Sequence, residues 1–530
     1  MDAIMKALEM VPWLTLLWAL PLAAGLGIQR LGNPDQARRA GAVIAAVMVL
    51  VSLGLTFAPG PGLRLEEVIA GVGALHYHMG IDGLNAPMTV LTSMILLGVT
   101  LGAPRAALNP QAIGALLMRS GAIMGCFLTL DALWLLAFWV LALLPGQITD
   151  SSPDTQGAIR MYRIYVKGGV LPLALAVGAL GWVGWQAGLT APFDIAQLTH
   201  IGISSAWQMA IFLLLTVAVM MRMGIAPLHA WLPAFSQRGS MGVVALVIGT
   251  HMGLFLVVRL MLPLLPEASA LGMPILADVA LLSALYGAVL ALGQRDLRRI
   301  IGCITISQRS LMLVGLASLN VQSISGAMLQ FLGTGGAVVG LLLVVWALQA
   351  RIGTTEVPRY AGLVRQAPGL AAMFLLFTIA SVGFPGSLGF VAEDLLIHGV
   401  IDAHPIVAGL LLIAMALNGI TLMRAFMQTF FGDSERAYSH VHDLLPRERI
   451  VSGVLLVLLL IGGWFPQTLL SQWEHQVNAL AARYTTPTAA HAAHAQADDA
   501  TPTADAATAV TPAGVTPPAA AAALAQAHTP

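Results

Sequence analysis

The sequence predicts an all-α polytopic membrane protein of about fourteen transmembrane helices, and three observations carry that expectation. Hydrophobic residues make up 58% of the 530 and charged ones only 9%, with a mean hydropathy of +0.84. A soluble domain uses roughly a quarter charged residues to cover its surface, so lipid is the expected solvent. Apolar runs of about 18–25 residues recur from end to end, each long enough to cross ~30 Å of hydrocarbon as a helix. Arginines gather in alternate loops, as the positive-inside bias requires.

The spans follow in order. The first, 11–29, shows no small-residue cleavage site followed by a soluble domain, so it is expected to stay as a membrane helix. The second falls at 40–58 and the third at 84–103, the latter opened by Asp82, for which a helix N-cap is the simpler reading. Only Leu128-Thr129-Leu130-Asp131 separates the fourth and fifth, 111–129 and 131–149, and Asp131 is expected to cap the fifth. The remaining spans lie at 166–186, 205–223, 240–262, 273–293, 300–318, 322–350, 370–397, 404–430 and 450–470. Residues 1–110 thus hold the first three helices, and 450–484 the last helix with its periplasmic end. From 485 to 530 Ala, Pro and Thr dominate without period, which predicts a disordered tail with solvated His491 and His494.

Orientation rests on the arginines. Loops after odd-numbered spans carry Arg30, Arg38, Arg39, Arg105, Arg160, Arg163, Arg238, Arg295, Arg298, Arg299, Arg351, Arg359, Arg365, Arg436, Arg447 and Arg449. Loops after even-numbered spans hold little beyond Arg64, offset by Glu66 and Glu67. Odd loops are therefore expected in the cytoplasm and both termini in the periplasm of a bacterial inner membrane. The 25 basic and 25 acidic residues cancel, which removes a general electrostatic case for nucleic acid. Cys126 and Cys303 stand far apart in apolar stretches, and no P-loop, haem-attachment or dinucleotide fingerprint occurs. No cofactor, metal or redox site is expected in this chain.

Ionisable residues at bilayer depth are costly and usually line a path or an interface. The candidates are Asp82, Asp131, Lys167, Arg222, His229, His251, Glu393 and Asp394. Arg222 directly precedes a Gly/Pro interruption, Gly224 to Pro227, and Glu393 follows a second one, Gly383-Phe384-Pro385-Gly386. A helix break frees backbone groups that protein or water must satisfy, so two breaks each beside a charge point to an ion path. His229, in Pro227-Leu228-His229, fits either a bond to freed carbonyls or a proton relay.

Four runs bring in a resemblance: Asp82-Gly83-Leu84; Pro227-Leu228-His229-Ala230-Trp231-Leu232-Pro233; Asp296-Leu297-Arg298-Arg299-Ile300-Ile301 with Ser307; and Gly389-Phe390-Val391-Ala392-Glu393. They resemble the antiporter-like membrane subunits of respiratory complex I (NADH–quinone oxidoreductase), most of all the M-type subunit. The likeness runs from about residue 75 to Phe465-Pro466-Gln467. Related cation/proton antiporters and membrane-bound hydrogenases share these motifs. The resemblance implies fourteen helices and two inverted five-helix repeats, at 111–262 and 273–430, with the seventh and twelfth helices broken. It also implies a membrane-embedded proton path and partner membrane subunits in a larger complex. Flavin, iron–sulfur clusters, NADH and quinone would belong to those partners.

Carried over residue by residue, the pattern departs at its charges. The family's fifth-helix glutamate falls on Val140, in Phe138-Trp139-Val140. The seventh-helix lysine becomes Arg222 and the eighth-helix lysine His251, while Gln308 and Thr334 stand where histidines are expected. The twelfth-helix acid survives as Glu393. Lysine can give up its proton; arginine is effectively locked positive, so the family's glutamate–lysine switch cannot run here unchanged. Two readings follow. Protons pass through His251, a water-held Arg222 and Glu393, with His229 and Lys167 as further stations; or the subunit no longer pumps and holds a complex together. A membrane subunit of an inorganic-carbon uptake or cation/proton antiporter system is the alternative assignment.

Overall fold

The computed structural model describes residues 11–57, 62–69, 76–104, 107–143, 153–357, 362–401, 404–432 and 441–485. The expected disordered tail, and Arg105, Arg359 and Arg436 of the orientation argument, lie outside them. In chain order the helices are α1 (Trp13–Ile28), α2 (Pro34–Thr56), α3 (Ala86–Gly102), α4 (Pro110–Leu128), α5 (Ala132–Leu141) and α6 (Thr155–Gln186). Then come α7 (Ser205–Met223), α8 (Trp231–Arg238), α9 (Met241–Leu264), α10 (Pro266–Leu292), α11 (Leu297–Ala317) and α12 (Val321–Ile352). α13 (Pro368–Ser381), α14 (Leu388–Ile401), α15 (Pro405–Phe430), α16 (Pro446–Trp464) and α17 (Pro466–Thr485) complete the set. One antiparallel hairpin, β1 (Leu65–Ile69) with β2 (Tyr77–Ile81), joins α2 to α3.

Local chemistry sets the helix starts. Asn33, Asn109, Asp296 and Asn320 each accept a bond from a backbone N–H of the first turn. Pro34, Pro110, Pro368, Pro405 and Pro446 occupy first helical positions, where a missing N–H costs nothing. Asp131 does cap α5, its Oδ1 accepting from Leu133 N at 2.8 Å and Trp134 N at 3.0 Å. Asp82 does not cap α3, whose N-cap residue is Asn85. Its Oδ1 instead closes a turn onto Leu84 N and Asn85 N, and its Oδ2 pairs with Arg259 Nη1 of α9 at 2.7 Å. A buried ion pair between the turn before α3 and α9 is thus the larger part of Asp82's role.

Nine helices among the described residues are long and apolar enough to cross a membrane, or ten if the bent pair α16–α17 counts as one span. α1, α3, α5 and α13 are shorter apolar helices. The layers sort by burial. α9, α11 and α12 are enclosed on every side, as helices with no broad solvated face must be. α2, α6, α7, α10 and α15 keep more than half of their apolar window on the outside, with Leu50, Leu271, Ile275, Leu282 and Ile406 widely exposed. Such rows face lipid or neighbouring subunits, because water would not tolerate them.

At Phe465-Pro466 the chain turns through 70° into α17. That helix lies across the hairpin side, with Arg64 donating to Gln472 O, Gln476 to Gly62 O and Tyr484 to Leu262 O. Gly83 has to be glycine there, since a Cβ would come within 1.7 Å of the Gln472 carbonyl oxygen.

Candidate functional site: a buried polar line between two helix breaks

Three interruptions lie in the core. α7 stops at Gly224, φ +70°, and resumes as α8. α9 breaks at Thr250-His251, where His251 itself takes φ +39°, a conformation rare outside glycine. α13 stops before Gly383 (φ +67°) and Gly386 (φ +94°), and α14 follows. Each break leaves carbonyls without an intrahelical donor, and in an apolar interior protein groups must supply one.

One side chain does most of that supplying. Arg309, from the middle of α11, is 1% exposed. Its Nη1 donates to Met223 O at 3.0 Å, and its Nη2 to Val247 O at 2.7 Å and Ile248 O at 3.0 Å. Its Nε reaches Nδ1 of His251 at 3.2 Å. The rigid guanidinium fork thereby ties the end of α7, the end of the first half of α9 and the imidazole to a single cation. The Trp231 indole covers another freed carbonyl, Met221 O, at 3.0 Å.

Arg222 ends α7, where the negative end of the helix dipole favours a cation. Its neighbours are not acids. The guanidinium stands 5.5 Å from the Trp139 ring centroid and donates to the Met252 sulfur at 3.1 Å. Tyr162, itself bonded by Arg119 at 3.3 Å, and Cys126 lie within electrostatic reach. Among the described residues neither Arg222 nor Arg309 forms a salt bridge. Val140 is 36% exposed, while Trp139, one residue before it, is buried and faces the cation. An aromatic face and a thioether surround the charge where the family resemblance implied a carboxylate.

From Arg309 the polar line continues along α11. Gln308 accepts from Gln330 Nε2 of α12 at 2.8 Å and donates to Ser381 O, the last residue of α13, at 3.2 Å. Ser307 accepts from Asn418 of α15 at 2.9 Å. Beyond Ser381 lies Gly383, so close to Glu393 that a Cβ there would sit 2.1 Å from its Oε2. Glu393 itself is half-buried. Thr334 is buried in α12, one residue before Gly335, whose Cβ position would lie 3.5 Å from His251 Nε2.

The structure therefore gathers Arg222, His251, Gln308 and Glu393 along one line, with Thr334 beside it. Two predicted stations fall elsewhere. Lys167 is exposed on a π-helical turn of α6 (Arg163–Lys167), with no bond among the described residues to the buried polar side chains. His229 sits in the α7–α8 connection, where its Nε2 meets Tyr286 Oη at 3.1 Å and its ring packs edge-on at 4.8 Å. That contact ties the connection to α10. Arg309 escaped the sequence reading, although an arginine in the middle of an apolar 21-residue helix is itself a signal.

Comparison with known proteins places the fold. The family described as NADH:quinone oxidoreductase/Mrp antiporter, TM, matches residues 120–421. NADH-quinone oxidoreductase subunit 13 of Thermus thermophilus is 30% identical over 453 residues, 84% of this chain and 94% of its own. NAD(P)H-quinone oxidoreductase chain 4 2 of Synechococcus sp. (strain JA-2-3B'a(2-13)) is 28% identical over 514 residues, covering 90% and 96%. A chain of respiratory complex I from Thermus thermophilus with bound NADH superposes with a TM-score of 0.80 at 27% identity, over 89% of this chain and all of that one. Since the matched stretch takes up more than half of the sequence and carries both helix breaks, the chain belongs to the NADH:quinone oxidoreductase/Mrp antiporter transmembrane family.

Proposed function

We propose that this chain is the proton-translocating, antiporter-like membrane subunit of a complex I-like NADH–quinone oxidoreductase. One observation carries the reading: two buried polar clusters on successive residues of α11, Arg309 with His251 and Gln308 with Gln330 and Ser381, lie inside an apolar core between the break that follows Arg222 and the break that precedes Glu393. Polar groups at that depth cost several kcal/mol unless satisfied, so a line of them marks a path. The named relatives are quinone oxidoreductase chains, which favours this assignment over carbon uptake or a free-standing antiporter. Fourteen spans in two inverted repeats (111–262 and 273–430), periplasmic termini and a bacterial inner membrane belong to the same proposal. Flavin, iron–sulfur clusters and quinone are then held by partner subunits.

The chemistry differs from a glutamate–lysine switch. Arg222 stays charged and serves as a fixed field, held by Trp139 and Met252. Because Arg309 donates to His251 Nδ1, the neutral ring carries its proton on Nε2. A second proton can enter at Nδ1 only if Arg309 lets go. His251 protonation is thereby coupled to the clamp that closes both helix ends, and Glu393 receives or releases the proton at the other break. The test is proton pumping by the native complex reconstituted in vesicles, driven by NADH and quinone. His251→Gln and Glu393→Gln are expected each to cut the proton yield per electron pair while leaving the subunits assembled. Co-purification of the tagged chain without any flavin or iron–sulfur subunit would remove the assignment.

A further inference from the structure

A second cluster of titratable groups lies where the hairpin meets two connections. Backbone bonds align three segments there. Leu130 N donates to His78 O at 2.9 Å, Ile195 N to Leu130 O at 2.8 Å and Ala132 N to Phe193 O at 2.9 Å. This frame sets β2 beside residues 129–131 and 193–195 and brings His76, His78 and Asp194 together, although 116 residues separate His78 from Asp194. One ligand atom from each, a ring nitrogen or carboxylate oxygen, lies within 4.8 Å of the other two.

The contacts have the order of a metal site. His78 Nδ1 bonds Asp194 Oδ2, and His76 Nδ1 stands 3.9 Å from the same oxygen without a hydrogen-bond partner of its own. The other nitrogen of His78, Nε2, faces Glu66 Oε1 at 2.8 Å. A carboxylate on the distal nitrogen is what orients a metal-ligating imidazole and fixes its tautomer. A further carboxylate oxygen, Oδ2 of Asp131, is buried without a hydrogen-bond partner, on a residue 1% exposed that lies within electrostatic reach of both Asp194 and His76. Three acids around two imidazoles leave an excess of negative charge, which a cation relieves.

We propose that His76, His78 and Asp194 bind one divalent transition-metal ion with a zinc-like preference for nitrogen and oxygen ligands, stapling the hairpin to the connection at 193–195. Two imidazoles and one carboxylate, with water in the fourth position, suit Zn²⁺; Mg²⁺ and Ca²⁺ prefer an all-oxygen shell. The ion takes the place of the hydrogen bond between His78 Nδ1 and Asp194 Oδ2, with Glu66 Oε1 2.8 Å from the other ring nitrogen.

The experiment titrates the purified, chelator-stripped full chain with Co²⁺, read by visible absorption, and with Zn²⁺ against a chromophoric chelator. One equivalent of Co²⁺ is expected to give the intense visible bands of a four-coordinate site, displaced by Zn²⁺. His76→Ala removes a ligand whose Nδ1 holds no hydrogen bond in the metal-free chain, so its metal-free melting temperature should match wild type while Zn²⁺ affinity falls at least ~10-fold. Glu66→Gln, which only weakens the orientation of His78, should cost ~10–100-fold. The chain carries 13 histidines. Uptake unchanged in both variants would assign the metal to other histidines and overturn the proposal, as would no Co²⁺ band in wild type.

Discussion

The two helix breaks are built alike in backbone and opposite in charge. At the first, α7 ends on a left-handed glycine, Gly224, and the ionisable residue Arg222 comes before the break, in the last turn. At the second, α13 gives way to Gly383 and Gly386, and the acid Glu393 comes after the break, in the second turn of α14. The cation at the end of α7 stands where the helix dipole favours it, whereas Glu393 lies one turn beyond the N-terminal turn that would favour an anion. The difference lies in how the freed carbonyls are met. Around α7 and α9, the cation Arg309 and the Trp231 indole take four of them in fixed geometry. At the second break, the neutral Gln308 amide takes Ser381 O at 3.2 Å and Glu393 is only half-buried. The first break is clamped by a cation; the second is held by a neutral amide.

Removing the clamp should have the largest effect. Arg309→Met leaves Met223 O, Val247 O, Ile248 O and His251 Nδ1 without their donor. Each buried acceptor so orphaned costs about 1–3 kcal/mol, and loss of one partner of a buried charged network about 3–5 kcal/mol overall. The expected outcome is a chain that melts well below wild type in detergent and fails to accumulate in its complex. Wild-type melting would mean that the two ends need no cation, and the contrast between clamped and free breaks would vanish.

Glu393→Gln tests the other side. The amide keeps the shape but carries no exchangeable acid, so proton transfer should fall at least ~10-fold with melting nearly unchanged. Gly383→Ala sharpens the same point. A Cβ would meet the Glu393 carboxylate at 2.1 Å, and the φ of +67° costs an L-residue roughly 1–2 kcal/mol. Reduced proton transfer together with a modest loss of melting temperature is expected. Full activity would show that the carboxylate works from another position.

Most of the helical frame was legible because apolar runs and loop arginines are one-dimensional signals. The predicted spans at 205–223 and 322–350 lie on α7 (Ser205–Met223) and α12 (Val321–Ile352) almost residue for residue. Glu393 and Arg222 were legible because each stands beside glycine and proline in sequence. Arg309 offered a signal in its place inside an apolar helix, but its partners were not legible, since they lie 58 to 86 residues away and no local pattern links α11 to the ends of α7 and α9. Asp82 looked like a cap for the same reason: Arg259 is 177 residues distant. The His76–His78–Asp194 cluster was hidden as well, because spacing rules search for metal ligands along the chain and here the hairpin and a connection bring them together.

Trp139→Leu should have a smaller effect than any of these. It removes the ring under Arg222, at 5.5 Å, and leaves a smaller apolar contact, so about 1–2 kcal/mol of stability should go with the cation–π interaction. Thermal unfolding measures that directly. An unchanged melting temperature would show that Met252 and Tyr162 suffice to hold the guanidinium.

The smallest effect is expected from Val140→Glu, which restores the acid that the family resemblance implies. The side chain at 140 is 36% exposed, and Trp139 occupies the face toward Arg222. A carboxylate at 140 would have to displace that ring to reach the guanidinium, or remain at the apolar exterior and take up a proton, since a charge there is costly. Proton transfer by the variant should therefore stay within about twofold of wild type, measured in the same reconstituted vesicles. A rise well beyond that would mean the acid does reach Arg222 and that the first break can also switch. In that case the asymmetry between the breaks would rest on residue 140 alone, and Arg309 would be a brace that a single carboxylate makes dispensable to the proton path.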